Sequence, residues 1–523
     1  MPRLTTVSRF VALGGAAAVV LAASAGDVAQ ARPGGAASCE ALSKIALPHT
    51  TITRAQFVPA GQFAGTPEGL LAPGATAFKP YSALPAFCRV AATLAPSADS
   101  DIKVELWMPA DTWNGKFEAL GNGGWAGQLS VQPLAVAVGR GYAAATTDTG
   151  HATPGAAFAF NHPEKLVDFA WRAVHEMTIQ SKALLQAFYA KAPEHAYWNG
   201  CSTGGRQGLK EAQRFPADYD GIIAGAPANN MTHLLSASIW IAQASLDHPA
   251  SYIPPAKYAL VHRAVLDACD AIDGVTDGVL DDPRRCHFDP ATLQCRSGDA
   301  AHCLTAPQVE TARKIYGGAV NPRTGAAIYP GLEPGSEMGW SGLAGPQPLS
   351  IADDYFKYIV FKDPAWDFRT LDFDTGVAKA DALDHGEMNA MDPDLGAYLA
   401  RGGKLLLYHG WNDQLIAPEN TVQYYEAVVR TVGPRGAADA VRLFMEPGAT
   451  HCAGGDGPSN FDPLGVLDSW VAGHTPPDRI VATHLSAGAV DRSRPLCPYP
   501  QVATYRGTGS TNDAANFTCA AAR

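Results

Sequence analysis

Residues 196–213 read AYWNGCSTGGRQGLKEAQ, and this stretch decides the fold. Ala196 to Asn199 is a short strand, Gly200-Cys201-Ser202-Thr203-Gly204 is a turn, and a helix follows through Gln213. The turn fits Gly-x-Ser-x-Gly. A serine raised above a sheet on a strained strand-to-helix turn needs glycine on both sides, because side chains there have no room. Five residues alone are a weak pattern, but the strand before them and the helix behind are the context it requires. Ser202 is the candidate nucleophile.

Outward from the turn, strand-like and helix-like stretches alternate. Ile102 to Met108, Lys116 to Leu120 and Tyr142 to Thr147 precede it as strands, and Leu166 to Ala190 has helical periodicity. Gly221 to Ala224 is the next buried strand. The rhythm returns with Lys404 to Tyr408, a proline-headed helix from Pro418 to Val429, and Val441 to Met445. Such alternation implies a mostly parallel α/β sheet. Between 227 and 395 the rhythm stops. Four cysteines, many Asp-Gly and Pro-Gly turns and the run Trp340, Tyr355, Phe356, Tyr358, Phe361, Trp366 and Phe368 mark an insertion over the mouth of the sheet. The catalytic domain is then 32–226 with 396–523, and the lid domain is 227–395.

A hydroxyl needs a base, and the base needs an orienting acid. In α/β-hydrolases the chain order is Ser, Asp or Glu, then His. Asp413 follows the strand ending Tyr408-His409-Gly410-Trp411-Asn412, and His451 follows the next strand. His151, His175, His233 and His409 compete for the base role, but their positions suit pocket or structural histidines better. The oxyanion needs two N–H donors. One is expected from Thr203, the residue after the nucleophile, and the other from the Gly121–Gly127 loop. Gly124 is the first choice there, with Gly123 and Trp125 as rivals.

Two of the cysteines adjoin this chemistry: Cys201 precedes Ser202, and Cys452 follows His451. A disulfide between them would bring their Cα atoms within about 4.4–6.8 Å and set Ser202 beside His451. The ten cysteines all follow residue 31. Spacing offers the local pairs Cys269 with Cys286, Cys295 with Cys303, and Cys497 with Cys519. Residues 1–31 read as a signal peptide, with Arg3 and Arg9, an apolar run from Phe10 to Ala23, and a small-residue cleavage site at 29–31 or 23–25. The expected address is secreted or periplasmic, where disulfides persist. With a formal net charge of −11, neither nucleic acid nor an anionic membrane surface is an expected partner.

Asp270, Asp273 and Asp277 fall within eight residues broken by glycines. Carboxylates so spaced can wrap a hard cation, and calcium suits an all-oxygen donor set.

Taken together, these motifs resemble the tannase and feruloyl esterase family, which includes the mono(2-hydroxyethyl) terephthalate hydrolases. The similar stretches are residues 200–208 (GCSTGGRQG), 402–413 (GGKLLLYHGWND), 448–452 (GATHC) and 269–278 (CDAIDGVTDG), and the likeness runs from Cys39 to the C-terminus. The resemblance implies an α/β-hydrolase fold with a large inserted lid and five disulfides, among them Cys201–Cys452 and Cys39–Cys88. It also implies a structural calcium held by Asp270, Asp273 and Asp277 with the carbonyls of Val275 and Val279. The implied substrates are small esters of aromatic acids, such as galloyl or feruloyl esters, with lid aromatics stacked on the acyl ring. Terephthalate-monoester specialists place a lid arginine against the free carboxylate, and this lid offers Arg369 and Lys362. A peptidase or acyltransferase on the same scaffold and a calcium-dependent binding protein are the rival readings.

Overall fold

Six near-continuous apolar strands side by side require cover on both faces, and that requirement organises this chain. The structure is a computed structural model that describes residues 36–64 and 81–522; the expected signal peptide lies outside them. The first strands are β1 (Thr50–Val58), β2 (Phe87–Leu94), β3 (Ile102–Pro109), β4 (Lys116–Leu120), β5 (Ala143–Thr147), β6 (His195–Cys201) and β7 (Gly221–Gly225). A separate hairpin, β8 (Ala319–Val320) with β9 (Ala327–Tyr329), precedes β10 (Lys404–Gly410) and β11 (Val441–Glu446). The main sheet has the order β1-β2-β3-β5-β4-β6-β7-β10-β11. The pairs from β1 through β3 to β5 are antiparallel, and all pairs from β5 to β11 are parallel.

Successive side chains on a strand point to opposite faces, and Tyr197 and Trp198 show it. Trp198 joins Met177, Leu184, Leu209 and Val422 in one core, beneath the helices Ala173–Tyr189, Thr203–Arg214 and Pro418–Val432. Tyr197 joins Leu134, Val138, Leu467 and Trp470 in the other, beneath Val131–Gly139 and Pro463–Gly473. Strand β1 instead alternates between exposed and half-buried residues, as an edge strand does.

Two features differ from the periodic reading. The long helix expected over 166–190 is broken into Pro163–Val167, a π turn at Asp168–Arg172, and Ala173–Tyr189. The turn places Asp168 in the interior, where it accepts from Ser100 Oγ at 3.0 Å and from Arg172 Nε at 2.6 Å. Periodicity also passed over β1, β2 and two terminal hairpins, β12 (Ile480–Ser486) with β13 (Ala489–Leu496) and β14 (Gln501–Tyr505) with β15 (Phe517–Ala521).

Between β7 and β10 the chain adds no strand to the main sheet. Its helices Met231–Leu246, Tyr258–Cys269 and Ala306–Gly317 build two further apolar clusters. The aromatic run is largely the core of this layer: Trp340, Tyr355, Phe356, Trp366 and Phe368 are buried. Phe356, Phe361 and Trp366 stack on one another, with centroids 5.3 to 6.0 Å apart. Tyr358 and Phe361, the other members of the run, are half-buried.

All ten cysteines are paired: Cys39–Cys88, Cys201–Cys452, Cys269–Cys286, Cys295–Cys303 and Cys497–Cys519. Among the described residues no helix is long and apolar enough to cross a membrane.

Candidate active site

Strand β6 runs straight into the turn at Ser202, whose φ of 63° and ψ of −123° no side-chain-bearing residue adopts freely. Such strain persists only where neighbours over-determine it. Here Ser202 N–H donates to Gly225 O at 2.9 Å, while its carbonyl accepts from Arg206 N at 3.1 Å and Ala228 N at 3.0 Å. The glycines follow from space. A Cβ at Gly200 would lie 2.6 Å from the Gly204 carbonyl, and one at Gly121 would lie 2.7 Å from the Gly204 Cα. The helix behind Ser202 is also pinned along its length. The buried Arg206 guanidinium donates to Ala170 O at 2.8 Å and Met388 O at 3.1 Å, and Lys210 donates to Gly386 O at 2.7 Å.

The Gly121–Gly127 loop leaves β4 beside this helix. Gly124 has φ +52°, and its carbonyl accepts from Thr203 Oγ1 at 2.8 Å. Thr203 and Gly124 are thus neighbours at the first turn of the helix, joined through the Thr203 hydroxyl and the Gly124 carbonyl and not through the two N–H groups expected to act as donors. That turn also carries the positive end of the helix dipole. Gln207 Oε1 accepts from Asn122 N at 3.1 Å and holds the loop from below. Over it, the Trp125 indole donates to Ile351 O at 3.0 Å, and a Cβ at Gly124 would sit 3.3 Å from Ile351 Cδ1.

Asp413 and His451 come from the ends of β10 and β11. His451 Nδ1 lies 2.7 Å from Asp413 Oδ2, which leaves Nε2 for another partner. Asp413 is fully buried, and its Oδ1 accepts from Leu415 N at 2.8 Å and Ile416 N at 3.0 Å. Burial pushes its carboxyl up, but His451 and then His409 outweigh that and hold it well below the usual carboxylate range. For His451, burial pushes the pKa down and Asp413 more than reverses it, so the net shift is upward. The Cys201–Cys452 bridge, with Cα atoms 6.0 Å apart, joins the residue before Ser202 to the residue after His451.

His409 has a role that sequence reasoning missed. Its Nε2 lies 3.0 Å from Asp413 Oδ2, and its Nδ1 lies 2.8 Å from Thr421 Oγ1, so it braces the carboxylate from behind. Gln414 likewise accepts from His451 N at 3.3 Å. His409 lies within the stretch 402–413, four residues before Asp413, and that spacing was the signal that could have found it. Of the other candidates, His151 packs against the Gly121–Gly127 loop, where a Cβ at Gly127 would lie 3.2 Å from its Nε2, while His175 and His233 lie elsewhere. His151 stacks on Phe158 at 3.7 Å with its pKa pushed down to about 4 by burial, His233 pairs with Asp381, and His175 pairs with Asp218. In the lid, Arg369 pairs with Asp367 and lies over its neighbour Phe368.

The aspartate loop folds on itself: Asp270 accepts from Gly278 N at 2.9 Å, Asp273 from Val275 N at 2.8 Å, and Asp277 from Val279 N at 3.2 Å. Sequence reasoning omitted Asp281, a fourth carboxylate, which is buried here. Burial and then the Asp273 charge push it up to about 8, and Asp273 itself is pushed up to about 6. Arg494 pairs with Asp277 but lies 4.0 Å from Asp281. The donor set is oxygen only and carries more negative charge than its arginines neutralise, which fits a hard cation. Val275 and Val279 are buried, and a Cβ at Gly448 would lie 3.1 Å from Val279 Cγ1. The loop therefore packs on the segment that carries His451.

Known proteins are similar to this chain in sequence and fold. The family model "Tannase and feruloyl esterase" matches residues 88–520. An uncharacterised esterase of Xanthomonas campestris is 39% identical over 534 residues, covering 92% of this chain and 91% of that protein. The probable feruloyl esterase B of Aspergillus clavatus is 34% identical, covering 92% and 95%. The crystal structure of feruloyl esterase B from Aspergillus oryzae superposes with a TM-score of 0.85 at 31% identity, covering 93% of this chain and all of that one. A match over this much of the chain, on an α/β sheet of this order, shows that the protein belongs to the tannase and feruloyl esterase family of carboxylic ester hydrolases.

Proposed function

We propose that this esterase cleaves esters of aromatic acids, of the feruloyl or galloyl kind, through a covalent acyl-enzyme on Ser202. The observation that carries the reading is the 2.7 Å contact between Asp413 and His451, tied by a disulfide to the strained Ser202 turn. Ser202 attacks the ester carbonyl while His451 Nε2 takes its proton, and Asp413 holds the tautomer and the imidazolium that forms. N–H groups of Thr203 and Gly124 meet the oxyanion. The alcohol leaves with the proton from His451, and water activated by the same base releases the acid. The aromatic class rests on what the relatives' names say of them. Export through residues 1–31 is part of the same proposal, supported by five disulfides that suit an oxidising compartment.

A calcium ion on Asp270, Asp273 and Asp277 with the carbonyls of Val275 and Val279 belongs to the proposal too. When bound it supplies charge balance for buried carboxylates and anchors the loop; the chemistry at Ser202 proceeds without it as a participant.

The mature protein and its Ser202→Ala variant are assayed on methyl ferulate, methyl gallate, chlorogenate and mono(2-hydroxyethyl) terephthalate. Turnover of a phenolic ester that disappears in the variant is the expected result. Turnover confined to the terephthalate ester would move the acyl class, and silence on all four while a fluorophosphonate still labels Ser202 would discard aromatic esters.

A further inference from the structure

The helix that begins at Ser202 ends in a second constellation the hydrolase does not use. Among the described residues, His175, Glu211 and Asp218 are the one trio of His, Cys, Asp or Glu side chains whose ligand atoms all lie within 4.8 Å of one another. His175 comes from the Ala173–Tyr189 helix, Glu211 from the last turn of Thr203–Arg214, and Asp218 from the loop leading into β7. Glu211 is 1% exposed, and neither of its oxygens receives a hydrogen bond from a donor; the Asp218 carboxyl is its polar neighbour. A carboxylate buried without a donor or a counter-charge is strongly destabilising, as in a broken buried ion pair. Either a proton shared with Asp218 or a bound cation must satisfy it.

We propose that His175, Glu211 and Asp218 form a binding site for a divalent transition-metal ion, best suited to zinc, at the C-terminal end of the nucleophile helix. One imidazole nitrogen with two carboxylates is a mixed donor set that zinc accepts, and the nitrogen disfavours calcium or magnesium. Zinc bonds of about 2.0–2.2 Å set tetrahedral ligand atoms roughly 3.4 Å apart, so the 2.7 Å pair of His175 and Asp218 opens and Glu211, within 4.8 Å of both, adjusts to the same spacing. A water completes the fourth position. The 2.7 Å contact of His175 Nδ1 with Asp218 Oδ2 is a hydrogen bond only while the ring nitrogen is protonated, and a cation that displaces this proton turns both groups into ligands. The ring plane is already set, because His175 stacks on Phe215 at 3.7 Å and 10°. An entrance exists, since the His175 side chain is 23% exposed. Lys182, whose ammonium donates to the Asp218 main-chain carbonyl, is the nearby cation and engages no carboxylate oxygen of the trio.

The competing occupant is a proton shared by Glu211 and Asp218, since burial and then the Asp218 charge push the Glu211 carboxyl well above its usual range. Equilibrium dialysis separates the two. Tag-free protein kept in saturating calcium, so that the aspartate loop is not in play, is dialysed against micromolar zinc chloride, and bound metal is counted by mass spectrometry. The expected result is one zinc per chain and a melting temperature that rises with zinc. Glu211→Gln and His175→Ala should each weaken zinc binding by more than about 100-fold, beyond the roughly 10- to 100-fold cost of losing a supporting contact alone. If Glu211→Gln fails to fold, His175→Ala carries the test, as it alters a part-exposed helix position. No zinc on the wild type, or undiminished zinc on His175→Ala, overturns the site and leaves the shared proton.

Discussion

Single residues decide the chemistry through what surrounds them. Asp413 was legible from its place after a strand, and so was His451. Their coupling was not, because it depends on a buried carboxylate that receives two backbone N–H groups and a second imidazole, His409. The coupling has a consequence for pH. A base must be neutral to act, and Asp413 raises the His451 pKa above its ordinary value of about 6.5. Activity is therefore lost as pH falls through that raised value, and kcat/KM should show an acid limb with its midpoint above about 6.5. In Asp413→Asn the raising charge is gone, so the midpoint should move down while kcat falls on the order of 10⁴-fold, as when the matching carboxylate of serine proteases is neutralised. An acid limb that stays in place would detach Asp413 from the base.

At the scale of elements, the Gly121–Gly127 loop was assigned to the Ser202 turn from sequence because an oxyanion needs a second donor; that Gly121, Gly200 and Gly204 pack backbone to backbone, where only glycine leaves room, is what the structure adds. The aromatic run of the lid was harder to read. Aromatic composition reports burial, not what the ring is buried against, and these rings face one another. The aspartate loop is an element whose influence comes from where it docks. Its Val279 rests on Gly448, at the start of the His451 segment. Removing calcium with EGTA should lower the melting temperature and reduce kcat, both restored by calcium but not by magnesium. The stabilisation is expected to reach about 3–4 kcal/mol at free calcium roughly 100 to 1,000 times Kd. A melting temperature indifferent to EGTA and calcium would remove the ion from the fold.

Across the whole molecule, the Cys201–Cys452 bridge spans 251 residues and closes the site on itself. In the chain-entropy model it contributes about 5 kcal/mol, not far from the roughly 4 kcal/mol of the Cys39–Cys88 bridge. The two differ in what they hold, and paired alanine variants tell alignment from stability. Replacing Cys39 and Cys88 should lower the melting temperature with kcat nearly kept, whereas replacing Cys201 and Cys452 should lower both, with kcat down at least about tenfold, near 1.4 kcal/mol of barrier. Full kcat without the second bridge would make it a staple only. Sequence by itself determined the parallel α/β frame, the Ser202 turn, the order of Ser202, Asp413 and His451, and the aspartate loop. Each of these is set by local rules of period, glycine and spacing, which are written in neighbouring residues. Only the tertiary structure decided that His409 braces Asp413, that Asp281 joins the aspartate loop, that the lid rings are core, and that His175, Glu211 and Asp218 meet. The last two join residues on separate elements, the first two join residues a few positions apart whose side chains are turned together by the fold, and burial, which gives all of them their energy, exists only once the chain has folded.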